Sequence, residues 1–112
     1  MKPGPGAVGR TRSLQKLTFR IVTFQIRSGD PQNESAFRKQ FAPIREINDR
    51  HGCEKITILK GADPGAYAYI SQWRDLATLD ILRESPEYIA FVSELLKCAD
   101  IVSDKIYEEE VS

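Results

Sequence analysis

Histidine, methionine and tryptophan occur once each in the 112 residues and cysteine only twice, and neither sign of charge prevails, since 16 Lys and Arg balance 16 Asp and Glu. Cys53 and Cys98 have no His, Asp or Cys partner at metal-ligand spacing, so no metal site is expected. No apolar run nears the roughly 20 residues that cross a bilayer, and no apolar h-region follows the basic residues of the N-terminus. The expectation is a cytoplasmic chain with free thiols, no disulfide and no membrane partner. Also missing are a glycine-rich phosphate loop after a strand, a nucleophile elbow and a tandem repeat.

What is present is an ordinary globular composition, 41% hydrophobic and 29% charged, at a length that suits one domain. The zero net charge hides an asymmetry. Residues 1–16 hold Lys2, Arg10, Arg12 and Lys16 and no acid, which leaves 12 basic against 16 acidic residues in the remainder, a net of −4. A mildly acidic body lacks the basic face that opposes phosphates, so nucleic acid is not an expected partner. The Pro- and Gly-rich start reads as a flexible basic tail over 1–16, ahead of a folded domain over 17–112.

The segment LTFRIVTFQIR from Leu17 is β-branched and aromatic and predicts a strand with Val22, Phe24 and Ile26 on one face and Phe19, Ile21 and Thr23 on the other. Phe37, Phe41, Ile44 and Ile47 recur at helical spacing up to about Arg50, with Asn33 or a neighbour as cap. Pro43 falls inside that pattern and predicts a kink or a local break. Gly52 then ends the helix as a left-handed C′ residue. EKITILK and AYAYISQW read as two strands joined by the Gly61–Gly65 turn, with Tyr67, Tyr69, Ser71 and Trp73 sharing one face.

Asp75 caps a short helix, Ser85-Pro86-Glu87 opens a second, and a last strand starts near Ile101. The order strand, helix, strand, strand, helices, strand gives an α+β fold: a ferredoxin-like split βαβ pair with one four-stranded antiparallel sheet and helices on one face. The bare face would carry Ile21, Ile70 and Leu59. At about 25 cal/mol per Å² of apolar area, wetting several such side chains forfeits a few kcal/mol, so a second copy packed sheet to sheet is expected, a homodimer forming an α/β barrel.

Gly52-Cys53, the Pro-Gly turn, the strand end Gln72-Trp73, Leu79, Leu82, Ser85-Pro86 and Tyr88-Ile89-Ala90-Phe91 together resemble the antibiotic biosynthesis monooxygenase family of dimeric α/β barrels over roughly residues 17–110. The resemblance implies a pocket between sheet and helices. It implies cofactor-independent oxygenation of aromatic polyketides or quinols, haem degradation, isomerisation of small metabolites, or no activity, depending on the branch. The haem-degrading branch uses an Asn, a Trp and a His where this chain has Val22, Leu82 and Val92, so it is disfavoured. The polyketide-oxygenase branch shares Gln72-Trp73 but has Asn and Tyr where this chain has Tyr69 and Leu79.

Oxygen attacks without metal or flavin only a substrate made electron-rich by loss of a proton, which calls for a base and a donor to the oxyanion. Trp73, which the resemblance implicates, and Tyr69 on the same face, able to donate to an oxyanion, are the candidate catalytic residues. Ser71, Arg20, Val22, Leu79, Leu82, Tyr88, Phe91 and Val92 are the candidate substrate contacts. Arg20 has core-facing parity, so its charge either snorkels out or meets an anionic ligand. His51 is the only side chain that titrates near neutrality unperturbed, but its place beside Gly52 suits a helix end. Arg83 and Glu87 flank the junction of the last two helices as ordinary helix-end charges.

The function expected is cofactor-independent oxygenation of a small, mostly apolar aromatic molecule. The alternatives are a catalytically silent binding or assembly module and an isomerase, the last requiring Arg20, Ser71 or His51 to converge. Sedimentation at micromolar concentration should show a species of twice the 12.7 kDa chain mass, and a 12.7 kDa species alone would defeat the dimer.

Overall fold

The computed structural model describes residues 16–110, so the basic tail expected over 1–16 lies outside the described residues except for Lys16. The described residues form β1 (Thr18–Ile26), α1 (Asn33–Arg38), α2 (Phe41–Arg50), β2 (Lys55–Lys60), β3 (Ala66–Trp73), α3 (Leu76–Glu84), α4 (Pro86–Leu95) and β4 (Ala99–Glu108). The strands make one antiparallel sheet in the order β2-β3-β1-β4. This is the expected ferredoxin-like arrangement.

The helical pattern from Asn33 to Arg50 is broken into α1 and α2 at Lys39 and Gln40, ahead of Pro43 rather than at it. The reason is steric. In a continuous helix the Pro43 ring would meet the Lys39 carbonyl and leave it without a donor. Restarting at Phe41 puts Pro43 in a first turn, where no amide proton is needed. Asn33 does not cap α1 with its side chain. Gln32 stands at the cap position, and Asn33 Nδ2 donates to the Arg27 carbonyl at 2.9 Å.

The later start signals hold in detail. Asp75 Oδ1 accepts from the Thr78 amide at 2.9 Å, and Ser85 Oγ accepts from the Tyr88 amide at 3.3 Å with Pro86 at the first helical position. Gly52 has φ +88°, as a left-handed helix terminus requires. Gly61 is needed for space: a Cβ there would lie 2.7 Å from that of Ala66.

Strand β4 begins at Ala99, two residues earlier than expected, and carries a bulge. Phe24 pairs with Ile101 but Thr23 pairs with Ser103, so Val102 is the extra residue. One extra residue reverses the facing of everything after it. Asp104 and Ile106, opposite Val22 and Arg20, are thereby turned to the helix side.

Val22, Phe24, Tyr67, Tyr69 and Trp73 of the sheet pack with Phe37, Ile44, Ile47, Leu79, Leu82, Tyr88, Phe91 and Leu95 of the helices into one core. Ile21 and Ile70 are cross-strand partners on the opposite face and are half-buried, while Leu59 on that face is exposed. Replacing Ser85 by Ala should cost about 1 kcal/mol of stability by urea denaturation, the usual worth of an N-cap. Ser93→Ala, at an exposed position within α4, should change it by less than about 0.5 kcal/mol.

Candidate functional site

The helix face of the sheet buries three polar residues among its apolar ones, Thr18 and Arg20 on β1 and Ser71 on β3, and Arg20 and Ser71 are cross-strand partners. A buried guanidinium has to be paired. Arg20 Nε donates to Asp104 Oδ1 at 2.8 Å and Nη2 to Asp104 Oδ2 at 2.6 Å, a two-pronged ion pair across β1 and β4. Sequence parity offers Arg20 only solvent or an anionic ligand; the structure gives it a carboxylate of its own chain. Its third nitrogen, Nη1, donates to Tyr88 Oη at 2.6 Å, and Tyr88 Oη lies 3.2 Å from Tyr69 Oη. Arg20, Tyr88 and Tyr69 are thus one hydrogen-bonded chain from β1 through α4 to β3.

Burial lowers the Arg20 pKa, but the hydrogen bond to Asp104 and the nearby phenols outweigh it, and the net shift is upward. Arg20 stays charged at any working pH. Burial, with Tyr88 next, holds the Tyr69 phenol well above the ordinary tyrosine value in spite of Arg20. Tyr69 is therefore a proton donor in hydrogen bonds and not a base. The hydrogen bond from Arg20 keeps the Asp104 carboxyl below the usual carboxylate range, against the opposing effect of its partial burial.

Trp73 is wholly buried and its indole N–H donates to Ser71 Oγ at 2.9 Å. Its one polar group is therefore occupied within β3. Leu79, Leu82 and Val22 are buried in the same core, and Val92 packs against it half-buried. A small, partly open space lies between the sheet and α1, α2 and α4, lined by Phe24, Phe37, Gln40, Phe41, Ile44, Ile58, Ala68, Tyr69, Phe91 and Leu95. Of the residues singled out in the sequence, Tyr69 and Phe91 border it. Trp73, Ser71, Arg20, Val22, Leu79, Leu82, Tyr88 and Val92 do not. The space has a volume of about 20 Å³, which admits roughly one water.

Rings close it from α1 and α2. Phe37 stands 5.3 Å from Phe24, 5.0 Å from Tyr67 and 5.5 Å from Phe41, centroid to centroid. Tyr67 in turn donates to Glu34 Oε2 at 2.5 Å and accepts from Arg38 Nη1 at 3.1 Å, which ties both ends of α1 to β3.

His51 caps the end of α2, with Nδ1 2.9 Å from the Ile47 carbonyl oxygen and 3.4 Å from Glu87 Oε1. Glu87 itself pairs with Arg50 at 2.6 Å and Arg83 with Asp80 at 3.4 Å, so these are helix-end charges away from the cavity. Burial raises the Cys53 and Cys98 thiols, which are both free, and neither is a thiolate at neutral pH. Among the described residues no group of three His, Cys, Asp or Glu is gathered closely enough to hold a metal ion, and no helix is long and apolar enough to cross a membrane. Asp104 is the member that sequence reasoning missed. The only available signal was an acid on a strand that also carries Ile101 and Ile106, and the bulge hid its facing.

Asp104→Asn strands the Arg20 charge and should cost about 3 kcal/mol, the low end for a buried charge that loses its partner. Because the Asp104 pKa is depressed on folding, its contribution is full above the ordinary carboxylate pKa near 4 and fades as the pH falls below it. Urea midpoints of the wild type and the variant should therefore converge between about pH 5 and pH 2.

No curated protein matches the sequence. The structure is similar to that of SnoaB, a cofactor-independent oxygenase from Streptomyces nogalater, at a TM-score of 0.73 and 17% identity, covering 87% of this chain and 96% of that one. A conserved protein from Methanosarcina mazei matches at 0.71 and 16% identity, covering 92% and 99%. A dimeric protein of ferredoxin-like fold from Bacteroides fragilis matches at 0.67 and 19% identity, covering 85% and 96%. At these identities the likeness concerns the fold. The sequence profile of antibiotic biosynthesis monooxygenases, however, matches residues 19–94, and the chain belongs to that family.

Proposed function

We propose that this protein is a cofactor-independent monooxygenase acting on a flat, mostly apolar aromatic molecule of quinol or polyketide type, bound between the sheet and the helices. The observation that carries the reading is the Tyr69 phenol. The side chain is buried and held protonated, and its ring borders a space that Gln40 and a set of aromatic and aliphatic side chains also line. Such walls suit a planar hydrocarbon framework, and Tyr69 is the one phenol among their residues.

The reaction is an overall balance of R₂CH₂ + O₂ giving R₂C=O + H₂O. Loss of a proton from the substrate leaves a carbanion with its charge on a ring oxygen. Tyr69 donates to that oxygen and lowers the substrate's own pKa. The carbanion adds dioxygen, the peroxide takes up a proton, and loss of water leaves the ketone. No carboxylate or imidazole borders the cavity, so the proton passes to solvent, which restricts substrates to those already acidic.

A ring needs more room than one water, and Phe37 and Phe41 are the groups that must give way. They sit on either side of the α1–α2 break, and α1 buries only Phe37. The protein acts as a homodimer in this reading, joined through the sheet face that carries Ile21 and Ile70. The dimeric protein of ferredoxin-like fold from Bacteroides fragilis and the apolar character of that face support it.

The small cavity and the self-satisfied Trp73 favour a second reading, a silent module of the same fold. Oxygen uptake with a panel of quinols and anthrones, without added metal or flavin, separates the two. In the first reading Tyr69→Phe lowers the rate about a hundredfold, as loss of an oxyanion donor does, and Trp73→Phe lowers it too by releasing Ser71. Absence of uptake with every substrate would leave the second.

A further inference from the structure

Strand β4 is covered on neither side. From Asp100 to Glu108 every residue is exposed except the half-buried Ser103, and the exposed set includes the aliphatic Ile101, Val102 and Ile106. A second copy on the outer face of the sheet would meet Ser103 and Lys105, the partners of Thr23 and Ile21. The other row of the strand would stay bare. Ile101 and Ile106 stand opposite Phe24 and Arg20, which point under the helices, so both belong to the helix side of β4.

Helix α4 supplies a second wall. Tyr88 of α4 reaches Arg20 on β1, while Glu87 meets Arg50 on α2, the helix that lies over β2 through Arg45 and the Ile56 carbonyl. At about 100° per residue, Ile89, Val92 and Leu96 fall on the flank away from Glu87, which in the strand order β2-β3-β1-β4 is the β4 side. Ile89 and Leu96 are exposed and Val92 is half-buried. Five aliphatic residues thus border a trough between α4 and β4, a surface of the kind that marks a contact site.

Charge says what fits there. From Ala99 to Glu110 five acids, Asp100, Asp104, Glu108, Glu109 and Glu110, face Lys105 alone, a net of −4. Residues 1–15 hold Lys2, Arg10 and Arg12 with no acid, and Val8 and Leu14 among them are apolar. That segment enters the fold at the acidic end of the same strand: Lys16 Nζ lies 3.6 Å from Glu108 Oε1, and the Leu17 carbonyl accepts from the Glu109 amide at 2.8 Å. We propose that residues 1–15 turn back along the helix side of β4 and occupy the trough as an intramolecular strap, with Val8 and Leu14 on its aliphatic walls and the arginines beside the acidic strand. Length allows it. Glu108 to Ile101 is roughly 23 Å of strand, and fifteen extended residues span about 50 Å, which leaves several for the reversal. Isolated surface ion pairs hold weakly, so the apolar walls and the charges have to act together.

Trypsin tests this on the full-length protein, because it cuts after Arg10 and Arg12 and slow cutting reports a segment that is mostly engaged. A synthetic peptide of residues 1–17 gives the rate for the free segment. At low salt, cutting at the two arginines should be at least about tenfold slower in the protein than in the peptide, which corresponds to fewer than about one molecule in ten open. Salt near 0.5 M should shrink that ratio by screening the charges. Ile89→Lys and Leu96→Lys, each with the body of the protein left uncut as proof of folding, should bring the rate up to that of the peptide. Ser35→Lys, exposed on α1, should leave the protection in place. Equal rates for protein and peptide overturn the strap, and so does protection kept in full by both trough variants. Protection that vanishes on dilution overturns it as well, by placing the segment on another copy.

Discussion

Arg20 sits at a position where β1 is hydrogen-bonded on both edges, to β3 through Ser71 and to β4 through Ile106, and its side chain points under the helices. A cation in that place must be neutralised, and the carboxylate that does so is 84 residues away in sequence, two cross-strand pairs along the sheet. The polar architecture of the site follows from this pairing. It fixes the guanidinium, the guanidinium fixes Tyr88 on α4, and Tyr88 meets Tyr69 on β3. Three strands and a helix are thereby held together by directional bonds inside a mostly apolar core.

The pairing depends in turn on the bulge at Val102. Without the additional residue, Ser103 would face the helices and Asp104 the other side of the sheet, leaving Arg20 buried without a partner. Removing a buried partner costs more than the net worth of the pair, so bulge and ion pair are best understood as one device. Elsewhere in the core, the space between the sheet and the helices is filled so far that little more than one water would fit.

Much of the fold was legible because its determinants are local. Asp75 and Ser85 cap helices through bonds to amides three residues on, and Gly52 ends α2 by its own backbone angle. The alternation of Tyr67, Tyr69, Ser71 and Trp73 gave their shared face directly, since strand geometry has a period of two. Pro43 foretold a break but not its place, because the ring acts on the carbonyl four residues earlier. Resemblance to the family added the expectation of a pocket between the sheet and the helices. Neither route revealed that Trp73 would satisfy its indole within β3, or that Phe37 and Phe41 would wall the cavity, since both depend on how far one layer stands from the other.

Sequence by itself determined the order and type of the elements, the inward facing of Arg20 and Tyr69, and the membership of a fold with helices on one side of an antiparallel sheet. Those properties rest on interactions within a few residues and on hydrophobic periodicity. Tertiary structure alone decided that Arg20 is neutralised by Asp104, that Tyr88 links it to Tyr69, and how much space remains beneath the helices. These rest on register between strands distant in the chain and on packing between layers, where a single bulged residue or a single ring determines the outcome.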